Sequence, residues 1–544
     1  MSPSYANGAS TTPLLGETIG ANLERTVARF GDREALVSVH QGLRLTYAEL
    51  DAAVDSLASG LMGLGIGMGD RVGIWSPNRV EWVLTQYATA KVGAILVNVN
   101  PAYRTSELEY VLNQSGCRVL IAAPSFKSSD YVEMAGAIRA PELDRAIFMD
   151  SPEWASLAAG EGGPGAGAVR DGGARLGFDD PINLQYTSGT TGFPKGATLS
   201  HHNILNNGFF VGEALGYTEA DRICIPVPLY HCFGMVMGNL AATSHGAAMV
   251  YPEAAFEPAA TLAATSGEHC TSLYGVPTMF IAQLDHPDFE AHDLGTLRTG
   301  IMAGSPCPVE VMRRVLDRMG VAEMSICFGM TETSPVSTQT PREDTIEHRC
   351  ETVGTVHPHL EVKVIDPETG RTVGRGEPGE FCTRGYSVMR GYWEEPERTA
   401  EAIDAAGWMH TGDLATMDAD GYVKIVGRSK DMIIRGGENV YPREIEEFLY
   451  GHPDVADVQV ISVPDERYGE EIMAWVIARP GATLSPEAVR DHCRGKIAHY
   501  KIPRYVKIAT GFPMTVTGKV QKYKMREEAI QELGLADAES IATA

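Results

Sequence analysis

Between Leu45 and Pro101 the spacing of apolar positions changes several times, and each change marks an element. TYAELDAAVDSLASGLMGLG repeats its apolar residues every three or four positions and predicts an amphipathic helix. RVGIWSP and AILVNVNP are short apolar runs bounded by turn formers, and predict strands. Helices alternating with such strands imply a largely parallel α/β sheet. INLQY is a further strand candidate, and HTGDLATMDADGYVKIVGR predicts two strands joined by a tight turn at Asp418 to Gly421, the second ending at Arg428. From Gly427 to Lys430 the pattern shifts again. EIEEFLYGHPDVADVQVISVPD, EIMAWVIARP and SPEAVRDHCRGKI then read as helix, strand, strand and helix, a compact α+β unit of its own. The chain is therefore divided into residues 1–428 and 429–544. The stretch from Gly160 to Gly177, GEGGPGAGAVRDGGARLG, is dense in glycine and alanine and predicts a flexible surface connection. No repeat of 20 to 50 residues interrupts this organisation, which disfavours a solenoid.

Composition narrows the class. A chain of 544 residues, 44% hydrophobic and 21% charged, has the make-up of a folded globular protein large enough for a site between lobes. Its formal net charge of −25, without a strong basic patch, argues against nucleic acid as a partner. The nine cysteines stand singly, with no C-x-x-C pair and no His/Cys ligand spacing, as expected of reduced thiols in a cytoplasmic protein. The N-terminal residues lack the basic and apolar regions of an export signal, and no apolar stretch reaches the ~18 residues of a membrane span.

Two segments carry recognisable chemistry. Tyr186 to Gly196, YTSGTTGFPKG, follows a strand candidate and offers backbone N–H groups and hydroxyls that can surround phosphate oxygens, with Lys195 adding a positive charge. Pro194 directly before the lysine excludes the Walker A pattern. In Phe328 to Pro335, FGMTETSP, a glycine beside an aromatic ring offers a flat surface for a purine, Thr331 can donate to a phosphate, and Glu332 is a hard oxygen ligand suited to Mg²⁺.

Together with Gly407 to Leu414 (GWMHTGDL), Gly427 to Asp431 (GRSKD) and Pro513 to Lys522 (PMTVTGKVQK), these segments resemble, in their order, the adenylate-forming (AMP-binding) superfamily of acyl-CoA synthetases, peptide-synthetase adenylation domains and luciferases. The resemblance runs from about Leu45 to Arg526. It implies an α/β enzyme with a large N-terminal domain of mixed α/β subdomains and a small mobile α+β C-terminal domain. It also implies ATP, Mg²⁺ and CoA as cofactor and co-substrates. Thr187, Ser188, Gly189, Thr190, Thr191, Gly192 and Lys195 would hold the phosphates. Thr331 would contact the α-phosphate, Glu332 the magnesium, and Gly304, Ser305, Phe328, Gly329 and Met330 the adenosine. The family usually has tyrosine where Phe328 stands, so stacking is kept and a hydroxyl contact is lost.

Asp413 and Arg428 could share a ribose diol or form a hairpin ion pair, and the resemblance favours the ribose. Lys519 corresponds to the lysine that serves the adenylation step, Lys430 to the hinge, and Gly436 and Gly437 to a loop of the pantetheine tunnel. PLYHCFGM (Pro228 to Met235) resembles the acyl-pocket segment, with His231 near the reacting carboxylate. Phe233, Met235, Thr278, Met302 and Met330 are candidate lining residues.

Across its length the chain most resembles bacterial medium- or long-chain fatty acyl-CoA synthetases. The implied activity is ATP-dependent acyl-CoA ligation through an acyl-adenylate. The alternative is a stand-alone adenylating enzyme that loads an acyl or aryl acid onto a carrier protein. Monomer and homodimer are both compatible with the sequence.

Overall fold

A computed structural model describes the chain except for residues 1, 188–193, 305–306, 429–430, 436–437, 466–467, 495, 498, 516–518 and 536–544. Two large α/β layers form the N-terminal part. The strands Arg71–Trp75 and Ile95–Asn98 run parallel side by side, as their apolar runs predict, and Val119–Ala122 and Arg145–Phe148 extend the sheet beyond Arg71–Trp75. On the other side Pro181–Thr187 joins in parallel, followed antiparallel by Lys195–Ser200 and Gly391–Tyr392. A second sheet of nine strands contains Ser272–Gly275, Thr299–Ala303 and Glu323–Gly329 as parallel neighbours.

The helix Tyr47–Gly63 begins at a capping box in which Thr46 and Glu49 satisfy each other's backbone donors. Leu50, Val54, Leu57, Ala58 and Leu61 form its buried stripe. The Gly160 to Gly177 stretch lies at the surface as expected, with Val169 its one buried residue, but it carries a helix of its own. Ala166–Gly173 is helical, and Arg170 pairs with Asp55 at 3.0 Å. A Cβ added to Gly163 would lie 2.0 Å from the Ser59 carbonyl oxygen, so the glycine allows two backbones to touch, which a composition count reads as looseness. Beneath this contact Lys91 is buried against Asp51 (2.6 Å) and Asp55 (2.5 Å).

A third, antiparallel sheet carries Met409–Met417 and Val423–Arg428 as the expected hairpin. Beyond residue 430 the chain builds a separate sheet in which Val455–Asp465 pairs antiparallel with Gly469–Ala478, and Tyr505–Ile508 lies parallel to the latter. Ile472, Ala474 and Val476 face the helices Pro442–Tyr450 and Pro486–Cys493, whereas Met473 and Trp475 face the helix Lys522–Leu533. Burial on both faces explains the continuous apolar run of EIMAWVIA. The proposed boundary at 428/429 and the Lys430 hinge fall at or beside residues outside the description. No helix among the described residues is long and apolar enough to cross a membrane. All nine cysteines are buried free thiols.

Candidate active site

Thr187 and Lys195, at either end of the glycine-rich motif, face each other across the antiparallel strands Pro181–Thr187 and Lys195–Ser200. Ser188, Gly189, Thr190, Thr191 and Gly192 between them lie outside the described residues. Lys195 places its ammonium 4.9 Å from the centre of the Tyr392 ring.

The second motif sits where the strand Glu323–Gly329 ends in a short turn, Thr331–Thr333. Ends of parallel strands in α/β sheets are the usual place for ligands. Gly329 is fixed by space: a Cβ there would lie 1.7 Å from the Pro335 carbonyl oxygen. Thr331 and Glu332 are buried. Glu332 Oε1 accepts hydrogen bonds from the Tyr392 hydroxyl (2.9 Å) and from Thr187 (3.3 Å), which ties the second motif to the first. Both bonds that the described residues make to this carboxylate fall on Oε1, so Oε2 can face a cation, and the hard oxygen donor fits Mg²⁺.

Ala303 pairs with Cys327 on the neighbouring strand, which brings Gly304 beside Phe328. Gly304 has φ +90°, a conformation glycine adopts readily. Ser305 is outside the description. The Phe328 ring meets Phe381 edge to face at 5.4 Å. Met330 donates its backbone N–H to Thr333 Oγ1 at 3.1 Å, which closes the turn.

Asp413 and Arg428 are direct cross-strand partners in the hairpin register. Asp413 is buried, and its N–H donates to Thr411 Oγ1 at 3.1 Å. Strand pairing also gathers a group that no sequence spacing displays. Glu380, Cys382 and His410 bring their ligand-type atoms within 4.8 Å of one another. Glu380 accepts both from His410 (2.9 Å) and from the Gly412 N–H (3.1 Å), so the group braces the strand that carries Asp413.

The acyl-pocket motif runs into a π-helix, Phe233–Leu240. The wider turn releases the Met235 carbonyl to accept from Gln86 Nε2 (3.1 Å), and Asn98 and Gln185 each donate to Met235 Sδ at 3.1 Å. Phe233 lies 5.6 Å from the Tyr274 ring. Thr278 is on the helix Pro277–Leu284. Met302 corrects the lining set. Its strand neighbour Ile301 packs in the core with Phe233 and Met235, and Met302 packs in the core on the opposite face, because alternate strand residues point to opposite sides.

His231 Nδ1 accepts from the Phe233 N–H at 3.2 Å, which assigns the ring proton of the neutral form to Nε2. Burial, and then the positive charge of Lys519, push the His231 pKa down to about 3, so the ring is neutral at physiological pH. Lys519 is 288 positions downstream, and its N–H donates to Thr515 Oγ1 at 3.0 Å. Its charge nonetheless acts on the histidine of the acyl motif. Gly436 and Gly437 lie outside the description, and Arg428 is placed by its backbone. Tyr392 is the site residue that sequence reading passed over. Its only sequence signal is RGYW, which has no chemistry of its own.

The sequence profile for the AMP-binding enzyme family matches residues 23–393, and that for the AMP-binding enzyme C-terminal domain matches residues 444–519. The chain is 48% identical over 547 residues to YngI of Bacillus subtilis (strain 168), covering 97% of this chain and 100% of that one. It is 46% identical over 557 residues to the mitochondrial medium-chain acyl-CoA ligase ACSF2 of Danio rerio, covering 98% and 92%. Among solved structures, the anthranilate CoA ligase AuaEII in complex with anthranoyl-AMP superposes with a TM-score of 0.87 at 29% identity, covering 96% and 99%. The glycine-rich motif, the strand-end turn and the paired strands Val455–Asp465 and Gly469–Ala478 all fall within these matched regions, and the chain belongs to the AMP-binding, adenylate-forming enzyme family.

Proposed function

We propose that the protein is an AMP-forming acid-thiol ligase that converts a carboxylic acid, ATP and CoA into acyl-CoA, AMP and pyrophosphate by way of an acyl-adenylate. The observation that carries this reading is the Glu332 carboxylate of the second nucleotide motif, held by Thr187 of the first and by Tyr392, which brings the two motifs together around one hard oxygen donor. Relatives named as CoA ligases, one of them holding an acyl-AMP, support the same chemistry.

In the first half-reaction the ionised substrate carboxylate attacks the α-phosphorus of ATP and pyrophosphate leaves. Lys195 and the glycine-rich motif (Thr187, Ser188, Gly189, Thr190, Thr191, Gly192) hold the phosphates. Thr331 donates to the α-phosphate, and Lys519 offsets the charge of two converging anions. Gly304, Ser305, Phe328, Gly329 and Met330 wall the adenine, and Asp413, with Arg428, accepts the ribose hydroxyls. His231, neutral with its proton on Nε2, donates to the acyl oxygen and needs no titration of its own. Glu332 would hold Mg²⁺, which when bound neutralises pyrophosphate charge. In the second half-reaction the CoA sulfur attacks the mixed anhydride and AMP leaves. Rotation about Lys430 withdraws Lys519, and Gly436 and Gly437 line the thiol's path.

The substrate class we assign is a medium- or long-chain fatty acid, supported by the buried Phe233 and Met235 and by the medium-chain relative. Nine free thiols support a cytoplasmic location, although the Danio rerio relative is mitochondrial; cell fractionation decides between them. The test of function is pyrophosphate release across saturated acids of graded length, followed by thioester formation with free CoA and with a panel of carrier proteins. Turnover that peaks at medium or long chains with CoA fits the proposal. Flat activity across lengths defeats the fatty-acid assignment, and thioester formed only on a carrier protein defeats the CoA assignment.

A further inference from the structure

The segment from Ser387 to Trp393 is stitched to both nucleotide motifs at once. Ser334 Oγ donates to the Ser387 carbonyl (2.6 Å), and the Met389 N–H donates to the Glu332 carbonyl (2.9 Å), so one end is fixed to the strand-end turn. The Arg390 N–H donates to Thr198 O (2.9 Å) and the Trp393 N–H to Gly196 O (2.8 Å), so the other end is fixed to the hairpin that carries Lys195. Gln114 Nε2 donates to the Trp393 carbonyl at 2.8 Å, and the Tyr392 N–H donates to Thr399 Oγ1 at 2.9 Å. Gly391, at φ +140°, has no room for a side chain against Thr399. The backbone therefore leaves Tyr392 one place to be.

That place is between the two charged groups of the site. The hydroxyl donates to Glu332 Oε1 at 2.9 Å, and the face of the ring lies 4.9 Å from the Lys195 ammonium. A carboxylate gripped on one oxygen is oriented, and its second oxygen is aimed. An aromatic face attracts an ammonium without neutralising it, so it can park Lys195 before a phosphate arrives.

We propose that Tyr392 is a positioning residue for both ends of the phosphate site: its hydroxyl orients Glu332 toward the divalent cation of the nucleotide, and its ring pre-places Lys195. The inference rests on the ligase reading only in taking a metal-bound triphosphate as ligand, and its test requires no turnover.

The experiment measures the affinity of the full-length protein for α,β-methylene-ATP by calorimetry, with saturating Mg²⁺ and with EDTA, for wild type, Tyr392→Phe and Tyr392→Leu. Tyr392→Phe keeps the ring and removes the hydroxyl. It should weaken the Mg²⁺-loaded analogue about tenfold and change the metal-free analogue by less than twofold. Tyr392→Leu removes both and should weaken the metal-free analogue about threefold as well. Thermal unfolding of each variant separates positioning from folding, and Glu332→Gln, whose amide oxygen can still accept from Tyr392 while the carboxylate charge is gone, reports the loss of the metal ligand itself. Adding Tyr392→Phe to Glu332→Gln should cost no further Mg²⁺-dependent affinity. Equal weakening of both nucleotide forms by Tyr392→Phe, or additive losses in the double variant, would overturn the proposal. A wild type that binds neither form would instead remove the ligase reading on which it rests.

Discussion

Gly329→Ala places one methyl group where the chain has no space for it. The new Cβ would lie 1.7 Å from the Pro335 carbonyl oxygen, whereas such contacts essentially never fall below 3.0 Å, so backbone must move by about 1.3 Å. A carbonyl oxygen cannot rotate away as a flexible side chain can. The movement falls on the turn Thr331–Thr333, which holds Thr331 and Glu332, two and three residues along. Misplacing reacting groups by ~1 Å costs on the order of 100-fold, or about 2.7 kcal/mol of transition-state stabilisation. The assay is acid-dependent exchange of labelled pyrophosphate into ATP, compared with thermal unfolding of the same preparations. Gly136→Ala is the control, since its Cβ meets nothing within 4 Å on the helix Tyr131–Ala137. We expect Gly329→Ala to lose about 100-fold in kcat/KM while unfolding within a few degrees of wild type. Exchange within threefold of wild type would refute the steric argument.

Lys519→Ala should slow adenylate formation about 100- to 1000-fold while leaving thioester formation from a supplied acyl-adenylate within about threefold, read by single-turnover quench. Equal loss in both steps would remove its assignment to the first. Burial holds the His201 and His357 pKa values down at about 3, against an ordinary value of ~6.5 in the unfolded chain. Their stabilisation is therefore complete above about pH 6.5 and shrinks as pH falls toward 3, by roughly 2 kcal/mol each at pH 5. His357→Gln should lower the slope of unfolding free energy against pH by nearly one proton between pH 6 and 5. An unchanged slope contradicts the buried neutral ring. Gly163→Val, forced against the Ser59 carbonyl, should destabilise the fold by about 2–3 kcal/mol without changing the exchange rate of the folded enzyme, as denaturant unfolding and the exchange assay would report.

Local patterns were legible wherever one physical rule decided the outcome. The parallel pair Arg71–Trp75 and Ile95–Asn98 follows from apolar runs between turns, and the Asp413 to Arg428 pairing follows from a tight turn of known position. Long-range placement was not legible. Tyr392 acquires its role from a segment tied to two distant motifs, and a tyrosine beside glycine and tryptophan announces none of that. Glu380, Cys382 and His410 meet because strands pair, 28 residues separating the last two. Met302 was misread because methionine suits a pocket and a core equally, and strand alternation settles which face it takes. The surface position of the Gly160 to Gly177 stretch was legible, but its short helix and the close contact at Gly163 were not, because glycine density marks both loose connections and close backbone contacts, which only the packing partner distinguishes.

The central claim is that the glycine-rich motif, the strand-end turn and a lysine late in the chain act on one nucleotide to activate an acid. Pyrophosphate exchange into ATP without CoA tests it most directly, because the reversible first step alone produces the signal. The account predicts exchange that requires both Mg²⁺ and a fatty acid and that falls by at least about 100-fold in Lys519→Ala. Exchange that ignores the acid, or none with any organic acid while ATP still binds, would contradict it.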